Sequence, residues 1–241
     1  MAGNRSWNSS GAAQRGRLQA RPGLPEGAAQ DTGARPGLHP LDLDSARDGF
    51  CYVPAGYQRD TPAPLVLLLH GAGGNARNGL APLQSLADAA GLILLAPDSR
   101  RETWDVIRGG YGPDIAFIDA ALAATFARYA VDPAHLGIGG FSDGASYALS
   151  AGLTNGDLFT HILAFSPGFL APAGQPGTPA IFISHGTHDT VLPIDRCSRR
   201  IVPRLREAGY EVLYREFDGP HTVPPDIARD AVQWFTPPRA V

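Results

Sequence analysis

Short apolar runs alternate with longer helix-like stretches along most of this chain, and this alternation limits the folds that it can adopt. The run Leu65–His70 is almost entirely leucine and valine, and an apolar run of that length fits a strand that is covered on both faces. A helix-like stretch and another apolar run follow it, and the same order recurs down the chain. Alternating strands and helices build a mostly parallel sheet with helices on its faces. We therefore predict an α/β fold.

The pattern predicts eight strands and five main helices. The strands are expected at Gly16–Ala20, Gly49–Val53, Leu65–His70, Leu92–Ala96, His135–Phe141, His161–Phe165, Ala180–Ser184 and Glu211–Phe217. The helices are expected at Pro82–Ala90, Pro113–Tyr129, Gly144–Thr154, Ile194–Ala208 and Asp226–Phe235. Residues 1–14 are mostly small and polar, so we expect them to be poorly ordered. Residues 15–241 are a suitable length for a single domain.

Composition excludes several classes of function. Hydrophobic residues make up 44% of the 241 residues and charged residues 18%, as in globular proteins. A net charge of −3 gives no reason to expect a nucleic-acid partner. All 20 basic residues are arginine, which excludes a Schiff base, a pyridoxal phosphate anchor and a Ser–Lys dyad. Cys51 and Cys197 lie far apart and are predicted to be free thiols, with a long-range disulfide as the alternative. No ligand spacing indicates a metal, so no cofactor is expected.

The hydropathy of the sequence indicates whether the chain crosses a membrane or is secreted. No apolar run approaches the roughly 20 residues that a membrane-spanning helix needs. The first residues contain no apolar stretch of the kind that a secretory signal carries. We therefore expect no membrane span, a cytoplasmic location, and a monomer or homodimer.

The strongest local signal is Gly140-Phe141-Ser142-Asp143-Gly144, which matches the pattern G-x-S-x-G. An apolar strand precedes it and a helix-like segment follows it. In this context the serine stands on a tight strand-to-helix turn, and the two glycines leave room for the strand and helix to approach. The pattern predicts that Ser142 is a nucleophile.

A serine hydroxyl needs a base to become an effective nucleophile. Asp189 follows the seventh predicted strand and His221 follows the eighth, so both are expected at the same edge of the sheet as Ser142. Their chain order, serine then acid then histidine, suits this kind of site. Asp195 is a weaker candidate for the acid.

Backbone N–H groups must then stabilise the negative oxygen that forms during acyl transfer. The glycine-rich loop His70–Asn75 follows the third predicted strand, and it lacks the spacing of a dinucleotide-binding loop. We assign the donors to the N–H groups of Ala72 and Asp143. His70 and His185 are interpreted as structural, and the role of His188 is left open.

Four segments together resemble the phospholipase/carboxylesterase branch of the α/β-hydrolases: HGAGG, GFSDGAS, HGTHDTVLPI and the late GPH. The branch includes small bacterial carboxylesterases, acyl-protein thioesterases and polyhydroxybutyrate depolymerase-like relatives, and the resemblance extends from about Gly16 to Phe235. It implies Ser142 as nucleophile, Asp189 as acid and His221 as base, with Ala72 and Asp143 as donors. Close relatives often carry glutamine where this chain has Asp143.

The segment between Phe165 and Ala180 is short and contains four prolines, so no lid domain and an open site are expected. Trp104 and Leu192 are the preferred candidates to line the substrate pocket. These features predict a serine carboxylesterase acting on small, short-chain esters. A thioesterase, a polyester depolymerase or a peptidase would use the same residues, and a non-catalytic binding protein on this fold is a more remote alternative.

Overall fold

A computed structural model describes Trp7 and residues 10–23, 35–44 and 46–236. Its eight strands form one sheet, in the order β1-β2-β4-β3-β5-β6-β7-β8. The strands are β1 (Gly37–Pro40), β2 (Gly49–Val53), β3 (Ala63–Leu69), β4 (Ile93–Pro97), β5 (Val131–Phe141), β6 (His161–Phe165), β7 (Ala180–Gly186) and β8 (Val212–Phe217). β1 pairs with β2 and β2 pairs with β4 in antiparallel fashion. The remaining pairs, which run from β4 through β3 to β8 across the sheet, are parallel. The predicted α/β fold with a mostly parallel sheet is confirmed.

Helices cover both faces of the sheet. They are α1 (Gly11–Gln14), α2 (Ala76–Leu80), α3 (Gln84–Ala90), α4 (Pro113–Arg128), α5 (Asp143–Thr154), α6 (Ser198–Glu207) and α7 (Pro225–Phe235), with short 3₁₀ turns at Asp105–Arg108 and Ile194–Arg196. The second 3₁₀ turn shortens the helix predicted from Ile194. No helix among the described residues is long and apolar enough to cross a membrane.

The leucine-rich strand β3 lies inside the sheet and separates two hydrophobic cores. Leu65, Leu67 and Leu69 face one core, while Val66 and Leu68 face the other. All five side chains are at most 1% exposed. Side chains of a strand alternate between faces, so a strand covered by helices on both faces must be apolar at every position.

The first predicted strand is wrong. The backbone at Gly16 and Leu18 is bonded to the Asn155 side chain, whose amide donates to the Gly16 carbonyl (2.8 Å) and whose oxygen accepts from the Leu18 N–H (2.9 Å). These groups are therefore not available for a strand ladder. The strand at this edge of the sheet is instead β1, which lies between the first two predicted strands, where no strand was predicted.

Part of the segment expected to be poorly ordered has a defined structure. Ser10 caps α1 by accepting from the Ala13 N–H at 3.2 Å, and the Trp7 ring meets Phe117 edge-on at 4.9 Å. The rest of residues 1–14 lies outside the described residues, and the expectation there stays a prediction.

The connection from β6 to β7 contains no helix or strand between residues 166 and 179. Three of its backbone N–H groups donate to hydroxyl groups on α5 at 2.9–3.0 Å: Gly168 to Ser146, Ala171 to Ser150, and Ala173 to Thr154. Hydroxyls at four-residue intervals share one face of a helix, so they fix the connection along α5. The absence of a lid domain in this segment agrees with the prediction.

Candidate active site

Ser142 stands on the turn between β5 and α5 in a strained backbone conformation. Its φ is 58° and its ψ is −120°. Residues other than glycine rarely adopt this backbone region, which costs about 1–3 kcal/mol. The turn is held because the Ser142 N–H donates to the Phe165 carbonyl of the neighbouring strand at 3.0 Å. The serine is thereby presented at the carboxyl edge of the sheet, as the motif predicted.

The two glycines of the motif permit this turn. A Cβ on Gly144 would lie 2.1 Å from the Leu69 carbonyl oxygen, and one on Gly140 would lie 2.5 Å from the Gly144 carbonyl carbon. Both contacts are far shorter than van der Waals distance and involve backbone, which cannot move aside alone. Glycine is thus required for α5 to start this close to β3 and β5.

Gly144→Ala is therefore expected to lower the free energy of unfolding by at least about 3 kcal/mol, because the backbone must shift to accept the methyl group. Chemical denaturation measures the loss. Gly56→Ala is the matched control, since a Cβ there meets nothing within 4 Å. Equal stability of the two variants would show that the elbow is less tightly packed than described.

Asp189 and His221 form a hydrogen-bonded pair at the ends of β7 and β8. The Nδ1 of His221 lies 2.5 Å from Oδ2 of Asp189, and the carboxylate is fully buried. Its other oxygen accepts from the N–H groups of Val191 (2.9 Å) and Leu192 (2.8 Å). Burial alone would raise the pKa of Asp189, but the bonds from Leu192, His221 and Val191 outweigh it and lower the pKa. The acid is therefore ionised at neutral pH and orients the imidazole.

His185 is a second histidine on the same carboxylate, which the sequence did not indicate. Its Nε2 lies 3.2 Å from Oδ2 of Asp189 and 2.7 Å from the Leu192 carbonyl. Both partners are acceptors, so Nε2 carries the proton, and Nδ1 accepts from the Ser198 hydroxyl at 2.7 Å. Burial lowers the pKa of His185, which keeps the ring neutral. Its role is to hold the loop of the acid in place, as a structural histidine.

Two hydrogen bonds join the segment after β7 to the segment at the end of β8, and they position His221 on the serine side of the sheet. The N–H groups of Thr187 and His188 donate to the carbonyls of Phe217 and Gly219 at 2.9 and 3.0 Å. The His221 ring then packs on Phe141, the residue before Ser142, with ring centroids 4.5 Å apart. The structure thus brings all three predicted catalytic side chains to one edge of the sheet.

The glycine-rich loop lies directly against the elbow. A Cβ on Gly71 would be 3.4 Å from Cβ of Ser142, and the N–H groups of Gly73 and Gly74 are bonded to carbonyls. Among the described hydrogen bonds, none uses the N–H of Ala72 or of Asp143. Two free backbone donors therefore flank the serine, on the residues that the sequence assigned as donors.

His70 anchors this loop. Its Nε2 accepts from the Ser99 N–H at 3.0 Å, so its Nδ1 carries the proton and donates to the Gly71 carbonyl at 2.8 Å. Burial lowers the pKa of His70, and the neutral ring matches its interpretation as structural.

The carboxylate of Asp143 has a hydrogen-bond partner that the sequence did not indicate. Thr103 donates its hydroxyl to Oδ2 of Asp143 at 2.7 Å. The side chain that stands where relatives carry glutamine is thus fixed to the loop after β4, while the backbone N–H remains available.

Trp104 does not line a pocket, contrary to the prediction. Its side chain is 0% exposed, it lies between the rings of His70 and Tyr147 at 4.8 and 5.2 Å, and its indole N–H donates to the His70 carbonyl at 2.8 Å. It therefore supports the loop from within the core. A residue after a strand can turn inward as easily as outward, and its position in the sequence does not distinguish the two.

The other candidates lie at the surface of the site. Leu192 is half-buried and would be 3.2 Å from a Cβ on Gly168, so it stays a candidate for the pocket wall. His188 contacts Asp218, with Nδ1 of His188 3.0 Å from Oδ1 of Asp218, and both side chains are exposed. An exposed pair of this kind contributes little to stability.

The two cysteines are buried and unpaired, as predicted. Burial raises the pKa of Cys51 to about 12, so its thiol is protonated and unreactive at neutral pH. Within the described ranges, no group of three or more His, Cys, Asp or Glu side chains is placed to hold a metal ion.

Known proteins resemble the chain in sequence and in structure. The model of the phospholipase/carboxylesterase family matches residues 95–234, more than half of the chain. The chain is 27% identical over 167 residues to a probable feruloyl esterase C of Aspergillus niger, covering 66% of this chain and 60% of the relative. It is 29% identical over 159 residues to feruloyl esterase C of Emericella nidulans, covering 63% and 58%. The match spans about three fifths of the length of these relatives.

Among solved structures, esterase PE8 superimposes with a TM-score of 0.64 at 26% identity, over 79% of this chain and 98% of that one. The family match covers β5, the elbow, and the segments that carry Asp189 and His221. The chain belongs to the phospholipase/carboxylesterase family of the α/β-hydrolases.

Proposed function

We propose that the protein is a serine carboxylesterase that hydrolyses short-chain carboxylic esters through an acyl-enzyme. One observation carries the proposal: Ser142 occupies a strained turn at φ 58°, and His221, whose ring packs on the preceding Phe141, is bonded to the buried Asp189 at 2.5 Å. The esterase names of its relatives point the same way.

The proposed mechanism assigns one step to each side chain. His221 takes the proton of the Ser142 hydroxyl through Nε2 while the serine oxygen attacks the ester carbonyl. The N–H groups of Ala72 and Asp143 stabilise the resulting oxyanion. Asp189 keeps Nδ1 of His221 protonated and stabilises the imidazolium. His221 then donates its proton to the departing alcohol.

Hydrolysis of the acyl-enzyme repeats these steps with water as the nucleophile. His221 removes a proton from water, the tetrahedral intermediate collapses, and the carboxylic acid leaves as Ser142 regains its proton. Apart from the ester and water, this scheme uses only residues of the chain. That the enzyme needs no cofactor stays a prediction.

Labelling with a fluorophosphonate probe tests the proposal most directly. Such a probe forms a covalent bond with an activated serine, so we expect one label, on the peptide that contains Ser142. No labelling, with folded protein, would favour a non-catalytic binding protein on this fold.

The names of the relatives favour a second candidate, an esterase for feruloyl esters. A thioesterase or a polyester depolymerase would use the same triad. Parallel assays with methyl ferulate, an acyl thioester, a short polyester oligomer and a peptide rank these activities. The cytoplasmic location and the monomeric or homodimeric state stay predictions from the sequence.

The catalytic efficiency, kcat/KM, is expected to depend on the length of the acyl chain. Each methylene contributes about 0.8 kcal/mol only where a pocket buries it, and the connection 166–179 forms no lid over the serine. We therefore expect kcat/KM on 4-nitrophenyl esters to be highest for acyl chains of about two to six carbons. A sharp rise in activity above the solubility limit of the substrate would contradict this expectation and would indicate a mobile lid.

A further inference from the structure

A cleft of about 490 Å³ is lined by none of the three predicted catalytic residues. Its wall is the chain from Arg100 to Asp114, which follows β4. Thr103, in this wall, is bonded to Asp143, the residue after the predicted nucleophile, at 2.7 Å. Tyr147, one turn into α5, donates to Asp105 in the same wall at 2.8 Å. The cleft is thus built onto the residues that hold the nucleophile.

The two acidic side chains of the cleft are already occupied. Asp105 accepts from the Tyr147 hydroxyl at 2.8 Å and from the Asp114 N–H at 2.9 Å. Asp114 accepts from the N–H groups of Arg100 at 2.5 Å and Asp105 at 2.7 Å. Each of the four carboxylate oxygens therefore has a donor from the chain, and none is left to bind a cationic ligand.

The three arginines that line the cleft differ in how many hydrogen-bond and ion-pair partners they have. Arg100 pairs with Asp44 at 2.9 Å and lies over the Phe117 ring, so it is structural. Among the described residues, the side chain of Arg108 pairs only with Glu102, at 3.8 Å, and both side chains are exposed. Arg101 is exposed and, in the part of the chain that the structure describes, its guanidinium makes no hydrogen bond or ion pair.

The mouth of the cleft is also sterically open. A Cβ on Gly109 or Gly110, which both line the cleft, would meet nothing within 4 Å. Arg101 and Arg108 thus line a cleft whose rim is open at these two glycines. Guanidinium groups bind carboxylates through paired, charge-assisted hydrogen bonds.

We propose that Arg101 and Arg108 bind a carboxylate on the substrate, so that the enzyme prefers esters that carry a free acid group close to the scissile bond. The inference rests on the proposed esterase function and specifies its substrate class. Carboxylates can lie on the acyl side or on the alcohol side of an ester, and the test has one arm for each.

Matched pairs of esters that differ only in charge provide the test. On the acyl side, monoethyl glutarate is compared with ethyl 4-carbamoylbutanoate, and on the alcohol side, 4-acetoxybenzoate with 4-acetoxybenzamide. We expect kcat/KM to favour the carboxylate by about tenfold in at least one arm at low ionic strength. The preference is expected to shrink in 0.5 M salt, about where the Debye length falls to a few ångströms.

Substitutions test whether the arginines of the cleft cause the preference for the carboxylate ester. The double variant Arg101→Gln, Arg108→Gln is expected to bring the ratio of the two kcat/KM values to about one. Arg204→Gln, on the exposed face of α6, removes the same charge elsewhere and is expected to leave the ratio unchanged. A ratio near one in the wild-type enzyme, with both esters hydrolysed, overturns the carboxylate site and leaves the esterase function standing.

Calorimetry separates this proposal from the function on which it rests. The Ser142→Ala variant should bind monoethyl glutarate more tightly than the carbamoyl ester, and the two arginine substitutions in that background should abolish the difference. This result would support the site even if the wild-type enzyme hydrolysed neither ester. Equal binding, or no binding, of the two esters would overturn it.

Discussion

Ser142→Ala is expected to reduce kcat by about 10⁶, the loss measured when a serine nucleophile is removed from an enzyme of this chemistry. Without the hydroxyl no acyl-enzyme can form, and only binding and the backbone donors remain. Alanine and serine share the same backbone restrictions at φ 58°, so the variant should fold as well as the wild-type enzyme. Hydrolysis of 4-nitrophenyl acetate measures the loss, and a thermal melt checks the fold.

Ser166→Ala is a close control for this substitution. Ser166 also has a positive φ, 52°, and follows β6, the neighbour of β5 in the sheet. Its buried hydroxyl has no hydrogen-bond partner among the described groups, so its removal should leave activity within a few-fold and stability unchanged or higher. Retention of more than a few per cent of activity by Ser142→Ala would disprove its role as nucleophile.

Asp189→Asn is expected to reduce kcat by about 10⁴. The carboxylate accepts hydrogen bonds on both oxygens, from Val191 and Leu192 on one and from His221 and His185 on the other. An amide would direct an N–H at donors on one side, which favours the wrong tautomer of the catalytic imidazole. Steady-state kinetics at pH 7 measure the loss.

The same substitution should also change how stability depends on pH. The pKa of Asp189 is lower in the folded chain than its usual value, so its ionised form stabilises the fold above the unfolded pKa of about 3.9. That contribution is lost as the pH falls through the folded pKa. The stability difference between the wild-type protein and Asp189→Asn should therefore be largest near neutral pH and decrease below about pH 4.

Asp195→Asn provides the comparison for the acid. Asp195 pairs with Arg199 at 2.8 Å, and its side chain is 77% exposed, so its loss should change kcat less than about twofold. A loss in this variant as large as in Asp189→Asn would show that the acid has been assigned to the wrong residue.

The sheet interior was predictable because burial on both faces constrains every side chain of a strand. The interior strands β2 to β7 were located to within four residues, and β2 and β6 were located without error. Of the two edge strands, β8 was located to within one residue, whereas β1 was missed. An edge strand pairs on one side only, so its sequence need not be apolar. The four residues of β1 include a histidine and a proline and resemble a loop.

Local geometry determined the turn at Ser142. The strand before it, the helix after it and the two glycines act within five residues, so the motif predicted the elbow that the structure contains. Chain order likewise placed Asp189 and His221 after consecutive strands of the sheet. Parallel neighbouring strands end at the same edge, and the sequence was sufficient to bring these residues to one site.

Only the tertiary structure decided which side chains around that site face inward. Trp104 is enclosed by rings from two other segments, and His185 reaches Asp189 because the chain after β7 turns back at residues 189–192. The sequence likewise does not distinguish Arg101, whose guanidinium makes no bond among the described residues, from its neighbour Arg100, which pairs with Asp44. These differences depend on contacts between residues distant in the chain, and periodicity and motif spacing carry no information about them. The sequence by itself thus determined the fold class and predicted the reacting groups, whereas long-range packing determined which side chains support those groups and which arginines line the proposed carboxylate site.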